Sequence, residues 1–216
     1  MKRLLLDFGG VVLLTPFELR DRAEPSLGVA PGALSWAGPF DPAGDEAWRR
    51  FQSGEITERD YWAHRAAEHG LDTRAFMRHF YDPPGDHLVR PEVRRLMEAE
   101  RAAGRPPAIL TNDLQAFHGR GWMAAMEVLE LVDVLVDGSV TGVLKPDPRA
   151  YAAAVEALGV APADIVFVDD QAANVAGAAA AGLDAVWFDV TDPASSVAEV
   201  RRRLAAGSSR PGEAAS

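Results

Sequence analysis

The sequence predicts an α/β fold with an open, doubly wound parallel sheet. Five short apolar runs each end in a polar or acidic residue, and helix-like segments separate the later runs. Continuous Leu, Ile, Val and Phe character is typical of strands buried on both faces, as in a parallel sheet covered by helices. Alternating strands and helices are typical of a doubly wound sheet. The predicted strands are residues 4–7, 108–112, 132–137, 165–170 and 185–189.

Three helices are predicted between the later strands, at residues 91–103, 148–158 and 172–181. The first carries its apolar residues at helical spacing, and the second lies between a proline and a glycine. The third is rich in alanine and ends before Gly182. These are ordinary helix start and stop signals.

The segment from residue 15 to residue 87 interrupts this alternation, because it has no convincing strand and several helix-like pieces. Thr57 followed three residues later by Asp60 fits a helix N-cap with an acidic first turn. We therefore predict a helical insertion between the first and second strands. Its helices are predicted at residues 45–52, 57–69 and 73–81.

The predicted division of the chain is a core of residues 1–14 and 88–206, the insertion 15–87, and a flexible Gly/Ser/Ala-rich tail 207–216. The length of 216 residues suits one core with a modest insertion. The net charge of −10 disfavours nucleic acid as a partner. No apolar run is long enough for a membrane span or a signal peptide, so a cytoplasmic protein without a membrane partner is expected.

The absence of cysteine excludes disulfides and thiolate nucleophiles. The candidate site therefore consists of residues that carry oxygen and nitrogen groups. In an open parallel sheet, ligands bind beyond the carboxyl ends of the strands. Polar residues follow three of the predicted strands, Lys145 lies in a proline-fixed loop, and Asn174 lies one helical turn beyond an acidic pair. The strand-end residues are Asp7, Thr111, Asn112, Asp169 and Asp170.

This combination predicts phosphoryl chemistry with Mg²⁺. Clustered carboxylates repel one another unless a cation lies between them, and oxygen ligands suit Mg²⁺. A carboxylate beside Mg²⁺ can attack phosphorus, while Thr111 and Lys145 would hold the phosphoryl oxygens. The Gly9-Gly10 pair would allow a sharp turn that brings backbone groups close to the metal and the phosphate.

Four motifs occur in order, at or close to the predicted strand ends. They are Asp7-Phe8-Gly9-Gly10-Val11-Val12, Leu110-Thr111-Asn112, Lys145-Pro146-Asp147-Pro148, and Val168-Asp169-Asp170 with Asn174, Gly177 and Ala178. With these motifs the sequence resembles the haloacid dehalogenase-like hydrolase superfamily over about residues 1 to 190.

The resemblance implies a Rossmann-like three-layer sandwich with a helical cap inserted after the first motif. It implies that Asp7 is the nucleophile and a Mg²⁺ ligand, with the Gly9 carbonyl and Asp170 as further ligands and Asp169 in support. Thr111, Asn112, Lys145 and the Gly10 backbone would bind the phosphoryl group, and Asn174 would orient the acidic loop. The implied activity is a phosphatase, acting on a small phosphorylated metabolite through an aspartyl phosphate.

One position departs from the family pattern. Most phosphatases of this family carry a general acid and base Asp two residues after the nucleophile, where this chain has Gly9. Loss of such a group costs on the order of 10²–10⁴ in rate. Three outcomes remain open: a good leaving group, a proton donor from Asp113, the cap or His87, or weak or lost activity.

Other functions are also open at this stage. A phospho-ligand or protein-binding module that has lost catalysis is the main rival, and phosphotransfer to a second substrate is another. Metal-independent dehalogenation is disfavoured, because its enzymes usually have small neutral residues in place of the acidic pair 169–170. The sequence is compatible with a monomer or a homodimer.

Several conspicuous residues have simpler interpretations. Asp137 and Asp189 are expected to be ordinary loop acids, and the five histidines are expected to be solvated. Most of the cap aromatics are expected to pack within the cap rather than line a substrate pocket. These aromatics are Trp36, Trp48, Tyr61, Trp62, Phe76 and Phe80.

Overall fold

A five-stranded, all-parallel sheet forms the centre of the protein, with the spatial order β3-β2-β1-β4-β5. A computed structural model describes residues 1–206, and the flexible tail predicted at residues 207–216 lies outside them. The predicted parallel α/β fold is confirmed. The strands are β1 Arg3–Leu6, β2 Ala108–Thr111, β3 Val134–Asp137, β4 Ile165–Asp169 and β5 Asp184–Trp187.

Helices cover both faces of the sheet. The helices of residues 1–206, of which α1 to α4 lie in the inserted segment, are α1 Arg20–Leu27, α2 Glu46–Gln52, α3 Glu58–Ala67, α4 Thr73–Tyr81, α5 Pro91–Ala102, α6 Leu114–His118, α7 Arg120–Ala124, α8 Gly138–Thr141, α9 Pro148–Leu158, α10 Ala172–Ala180 and α11 Pro193–Ala206. Helices α5 and α11 pack with Leu4 and Leu6 of β1 on one face. Helices α9 and α10 pack with Leu5 on the other face, because successive side chains of a strand point to opposite sides.

The observed strands end before most of the polar residues that follow the apolar runs. Strand β1 ends at Leu6, one residue before Asp7, and β2 ends one residue before Asn112. Strand β4 ends at Asp169, so Asp170 lies in the following loop. The predicted strands were therefore slightly too long, and the excess residues Asp7, Asn112 and Asp170 belong to the loops that form the site.

The inserted segment leaves and re-enters the core at one place. Leu13 forms an antiparallel bridge with Val89. The Leu14 N–H donates to the Leu88 carbonyl at 2.9 Å, and the Arg90 N–H donates to the Val12 carbonyl at 2.8 Å. Both connections to the segment 15–87 therefore run side by side, which suits an insertion. That residues 15–87 act as a separate cap domain remains a proposal.

An acidic residue organises the inside of this segment. Asp45 caps α2 by accepting from the Trp48 N–H at 2.8 Å, and it also accepts from Tyr61 Oη at 2.8 Å and from Arg65 Nη2 at 2.6 Å. Tyr61 lies in a cluster of aromatic rings that includes Phe17 and Trp62. Asp45 thus links α2 to α3 beneath this cluster. Within residues 1–206, no helix has the length and apolar character that a membrane crossing requires.

Candidate active site

The site begins at the turn that follows β1. The Asp7 N–H donates to the Val168 carbonyl at 2.8 Å, which extends the pairing of β1 with β4 by one residue. The Asp7 carboxylate is buried and accepts from the Phe8 N–H at 2.7 Å. This carboxylate is therefore fixed at the carboxyl edge of the sheet, where the sequence places it.

Gly10 in this turn lies against the acidic loop that follows β4. Its φ is +73°, a conformation that favours glycine. A Cβ atom at this position would lie 2.5 Å from Asp170 Oδ2. Gly9, in contrast, has ordinary extended backbone angles of −67° and 135°, and a Cβ there would meet no atom within 4 Å. Only the second glycine is required by packing.

Lys145 joins the two acidic strand ends. Its Nζ lies 2.8 Å from Asp7 Oδ1 and 2.7 Å from Asp169 Oδ2, and its side chain is almost fully buried. Burial alone lowers the pKa of Lys145, but the carboxylates of Asp169 and Asp7 raise it further than burial lowers it. Lys145 is therefore held as an ammonium ion between two carboxylates.

Asn112 holds the loop that carries this lysine. Its Oδ1 accepts from the Lys145 N–H at 2.7 Å, and its Nδ2 donates to the Lys145 carbonyl at 3.1 Å. Both ends of the amide are thus bound to the backbone, so contact between the Asn112 side chain and a phosphoryl group remains a prediction. Thr111, the buried last residue of β2, lines the same cavity as Asp7.

The two members of the acidic pair have different surroundings. Asp169 is fully buried, and besides Lys145 it accepts from the Gln171 N–H at 2.8 Å and from Asn174 Nδ2 at 3.1 and 3.2 Å. Asp170 is partly buried and lines the cavity. Asn174 is itself fixed, because its carbonyl accepts from Tyr151 Oη at 2.8 Å. Asn174 thus contacts Asp169, and its role in orienting the acidic loop remains a prediction.

The charges of this cluster fit a divalent cation. Oxygens of Asp7, Asp169 and Asp170 all lie within 4.8 Å of one another. Burial raises the pKa of Asp7 and of Asp170, and repulsion from Asp169 raises both further. Three carboxylates beside one ammonium leave two negative charges, which a divalent cation would balance. Hard carboxylate oxygens are the ligand type that Mg²⁺ prefers.

A cavity opens between this cluster and the inserted segment. Its polar floor includes Asp7, Thr111, Lys145 and Asp170. Its remaining walls are largely apolar and aromatic, and they include Phe17, Phe51, Met77, Tyr81 and Phe117. Of the six cap aromatics singled out in the sequence, Trp48 and Trp62 line the cavity. The other four pack among buried apolar residues, as expected for most of them.

Comparison with known proteins identifies the family. The family model described as haloacid dehalogenase-like hydrolase matches residues 1–182. The chain belongs to this hydrolase family. The expected family membership is therefore confirmed.

Two curated relatives of this hydrolase are named as phosphatases. Phosphatase MT3486 of Mycobacterium tuberculosis is 38% identical over 99 residues, which cover 46% of each chain. The match thus spans less than half of that relative's length. Phosphoserine phosphatase of Thermus thermophilus is 34% identical over 185 residues, covering 79% of this chain and 74% of that enzyme.

A solved structure described as a dehalogenase shares the fold of this hydrolase. It has a TM-score of 0.61 at 21% identity and covers 88% of this chain and 85% of its own. At that identity the likeness shows the fold alone.

The proton donors that the sequence suggests, Asp113 and His87, differ in whether they line the cavity. Asp113 lines the cavity but is paired with the Arg59 guanidinium. His87 is exposed, outside the residues that line the cavity. His118, expected to be solvated, instead lines the cavity and stacks on Trp122 at a ring distance of 4.1 Å. Burial lowers the pKa of His118 to about 4.

The two strand-end acids set aside in the sequence have structural contacts. Asp137 accepts from the Gln115 N–H at 2.7 Å and from the Ser139 N–H at 2.9 Å. It is buried rather than solvated, in contrast to a simple loop acid. Asp189 accepts from the Thr191 N–H at 2.9 Å.

Two cavity residues were missed in the sequence, Glu58 and Gln171. Glu58 is the first residue of α3, and its Oε2 accepts from Gln171 Nε2 at 2.7 Å. The N-cap signal at Thr57 predicts that a helix begins here. It does not indicate which side of that helix faces the core.

Proposed function

We propose that the chain is a Mg²⁺-dependent phosphatase that hydrolyses a small phosphorylated metabolite through an aspartyl phosphate on Asp7. The observation that carries the proposal is the placement of Asp7 Oδ1 2.8 Å from Lys145 Nζ, on a cavity that also contains Thr111 and Asp170. Family membership and the phosphatase relatives support the same reaction class.

Asp7 and Asp170, with the Gly9 carbonyl, would hold the metal. Asp169 would support the site while it binds Lys145 and Asn174. Bound Mg²⁺ would supply positive charge that neutralises the phosphoryl oxygens and the neighbouring carboxylates. The raised pKa values of the buried Asp7 and the partly buried Asp170 are the feature of the structure that favours such a cation.

The residues of the chain account for the phosphoryl transfer. An Asp7 oxygen attacks phosphorus, the bond from phosphorus to the alcohol oxygen breaks, and the phosphoryl group becomes attached to Asp7. Lys145 and Thr111 offset the charge on the equatorial oxygens, which is the main demand of this transition state. Water then hydrolyses the acyl phosphate and frees Asp7.

The cavity favours a phosphate monoester whose alcohol part is apolar. Within residues 1–206, Lys145 is the only Lys or Arg side chain among the lining residues, and Asp7 and Asp169 already bind it. A carboxylate on the alcohol part would lose its hydration without gaining a cation, which is costly. Trp48, Trp62 and their apolar neighbours would instead contact a hydrocarbon or aromatic group.

The first test measures hydrolysis of phenyl phosphate by the purified chain with Mg²⁺ and with excess chelator. We expect turnover that requires Mg²⁺ and is abolished by Asp7→Asn. Asp21→Asn, an exposed acid on α1, is the control and retains the activity. Absence of turnover above the Asp7→Asn background across a panel of phosphate monoesters would contradict the proposal. Thermal stabilisation by phenyl phosphate without turnover would favour the binding module instead.

The same assay tests the substrate class. Benzyl and hexyl phosphate are compared with phosphoglycolate and phosphoserine, which carry a carboxylate. We expect kcat/KM at least about tenfold higher for the apolar esters, the size of effect that one well-placed pocket contact produces. Equal or higher values for the carboxylate-bearing esters would contradict the apolar assignment but not the phosphatase reaction.

A further inference from the structure

Gly9 leaves the reaction without a proton donor at the usual place, and the cavity contains another carboxyl group that nothing so far employs. Glu58 begins α3 and lines the cavity together with Asp7. Its Oε2 accepts from Gln171 Nε2, and the Gln171 N–H donates to Asp169 Oδ1 at 2.8 Å. Gln171 therefore links Glu58 to Asp169 of the acidic pair through two hydrogen bonds.

The surroundings of Glu58 suit a group that exchanges protons. Within residues 1–206, no Lys or Arg forms an ion pair with Glu58, and the neutral Gln171 donates a hydrogen bond to it. Burial raises the pKa of Glu58, the polar groups of Gln171 and Trp62 lower it, and the charges of Asp113 and Asp169 raise it further. The other charged or titratable groups around it are Arg59, Tyr81 and Asp170.

The other titratable groups of the cavity are less suited to this role. Asp113 is paired with Arg59, and Asp169 is bound by Lys145 and Asn174. Burial raises the pKa of Tyr81 well above its ordinary value, so this phenol does not supply a base. With its pKa near 4, His118 is not protonated at neutral pH and does not supply an acid.

We propose that Glu58, reaching into the site from the inserted helix α3, is the general acid and base that Gly9 does not provide. The proposal rests on the phosphatase reaction proposed above. As the bond from phosphorus to the alcohol oxygen breaks, the Glu58 carboxyl gives its proton to that oxygen and the alcohol leaves. The Glu58 carboxylate then takes a proton from the water that attacks phosphorus, and the bond to Asp7 breaks to release phosphate.

Position 9, now occupied by glycine, has space for a longer side chain. A Cβ at Gly9 would have no neighbour within 4 Å, so the position faces open volume. Its backbone angles of −67° and 135° are also ones that any residue adopts. An aspartate therefore fits at position 9, and this provides a rescue variant that uses the same chain.

The test is the leaving-group dependence of Glu58→Gln, measured by rapid-mixing and steady-state kinetics with Mg²⁺. An alkyl phosphate needs a proton on its leaving oxygen, whereas 4-nitrophenyl phosphate releases a stable anion. For Glu58→Gln we expect hexyl phosphate turnover to fall by about 10²–10⁴. With 4-nitrophenyl phosphate we expect a burst of one nitrophenolate per chain at nearly the wild-type rate, followed by slow turnover, because the second step still lacks its base.

Two further variants separate chemistry from folding. Glu55→Gln removes an exposed glutamate of the same segment, which pairs with Arg50, and should leave both reactions unchanged. Gly9→Asp combined with Glu58→Gln should hydrolyse hexyl phosphate at least about tenfold faster than Glu58→Gln alone. A merely structural role for Glu58 would give neither the burst nor the rescue.

The outcomes distinguish the two proposals. Wild-type turnover of hexyl phosphate that Glu58→Gln retains would overturn the role of Glu58 and leave the phosphatase reaction intact. An equal loss of burst rate and alkyl turnover would overturn it as well. A wild-type chain that hydrolyses neither ester overturns the phosphatase reaction and, with it, the assignment of Glu58.

Discussion

The two glycines of the first turn have different roles although they are adjacent in sequence. We expect Gly10→Ala to lower the free energy of unfolding by about 1–3 kcal/mol, the usual cost of a side chain in a left-handed conformation. The added Cβ would also displace Asp170, which it would approach to 2.5 Å. Urea denaturation measures the first effect, and calorimetric titration with Mg²⁺ measures weaker metal binding.

Gly9→Ala is the matched control for this prediction, because a Cβ there meets no atom within 4 Å. We expect it to change the free energy of unfolding by less than about 0.5 kcal/mol. Equal destabilisation by the two substitutions would show that Gly10 is not held by its contact with Asp170.

The rule that ligands bind beyond the carboxyl ends of parallel strands accounts for the site residues that the sequence predicts. Asp7 and Asp169 meet at Lys145 because β1 and β4 are neighbours and end at the same edge. The rule does not extend to Glu58, since its placement depends on the rotation of a helix outside the sheet. Nor does it reveal that the Asn112 amide binds the backbone of residue 145.

At the scale of elements, the N-terminus of α3 combines a structural motif with the proposed acid. Thr57 and Asp60 form a capping box, in which Thr57 Oγ1 accepts from the Asp60 N–H at 3.1 Å and Asp60 Oδ2 accepts from the Thr57 N–H at 2.9 Å. We expect Thr57→Ala to cost about 1 kcal/mol of stability. It should also lower kcat on hexyl phosphate, because Glu58 is the next residue.

Thermal unfolding and steady-state kinetics check this prediction. Thr73→Ala is the control, since Thr73 begins α4 but the N-cap of that helix is Asp72. A Thr57→Ala protein that is destabilised without any change in kcat would show that the cap does not position Glu58.

The sequence predicts those helices that are long enough for their apolar residues to show a helical repeat. Helices α5, α9 and α10 appear with nearly the expected bounds. Helix α1 was not predicted, because Pro25 lies inside it and its apolar residues lack a clear periodicity. Helices α6 and α7 have five residues each, too few for a helical repeat to show.

At the scale of the whole molecule, the inserted segment and the core are more closely joined than two separate sequence blocks suggest. Phe17, Trp36 and Trp62 belong to the same buried cluster as Leu4 and Val166 of the sheet. Arg90 Nη1 and Nη2 donate to Glu18 Oε1 and Oε2 at 2.8 Å each, which joins the start of α5 to the segment. Composition cannot reveal such a shared core, since the shared core depends on how the inserted segment folds back over the sheet.

This shared core makes the stability of the whole molecule sensitive to the protonation of His118. The ring lies between Tyr81 and Trp122, and burial is the main cause that lowers its pKa to about 4, with Asp82 raising and Arg74 lowering it. Between about pH 6.5 and pH 4 the unfolded chain therefore binds a proton that the folded chain does not. The contribution of His118 to stability therefore falls as the pH falls through this window, by an amount on the order of 3 kcal/mol.

His118→Phe removes the titrating group and retains an aromatic ring against Trp122. We expect urea denaturation at constant ionic strength to give a smaller loss of stability between pH 7 and pH 4.5 for this variant than for the wild type. At pH 8 the imidazole is neutral in both folded and unfolded chains, so the difference measured there isolates the change in packing. Parallel pH profiles for the two proteins would show that protonation of His118 is not coupled to folding.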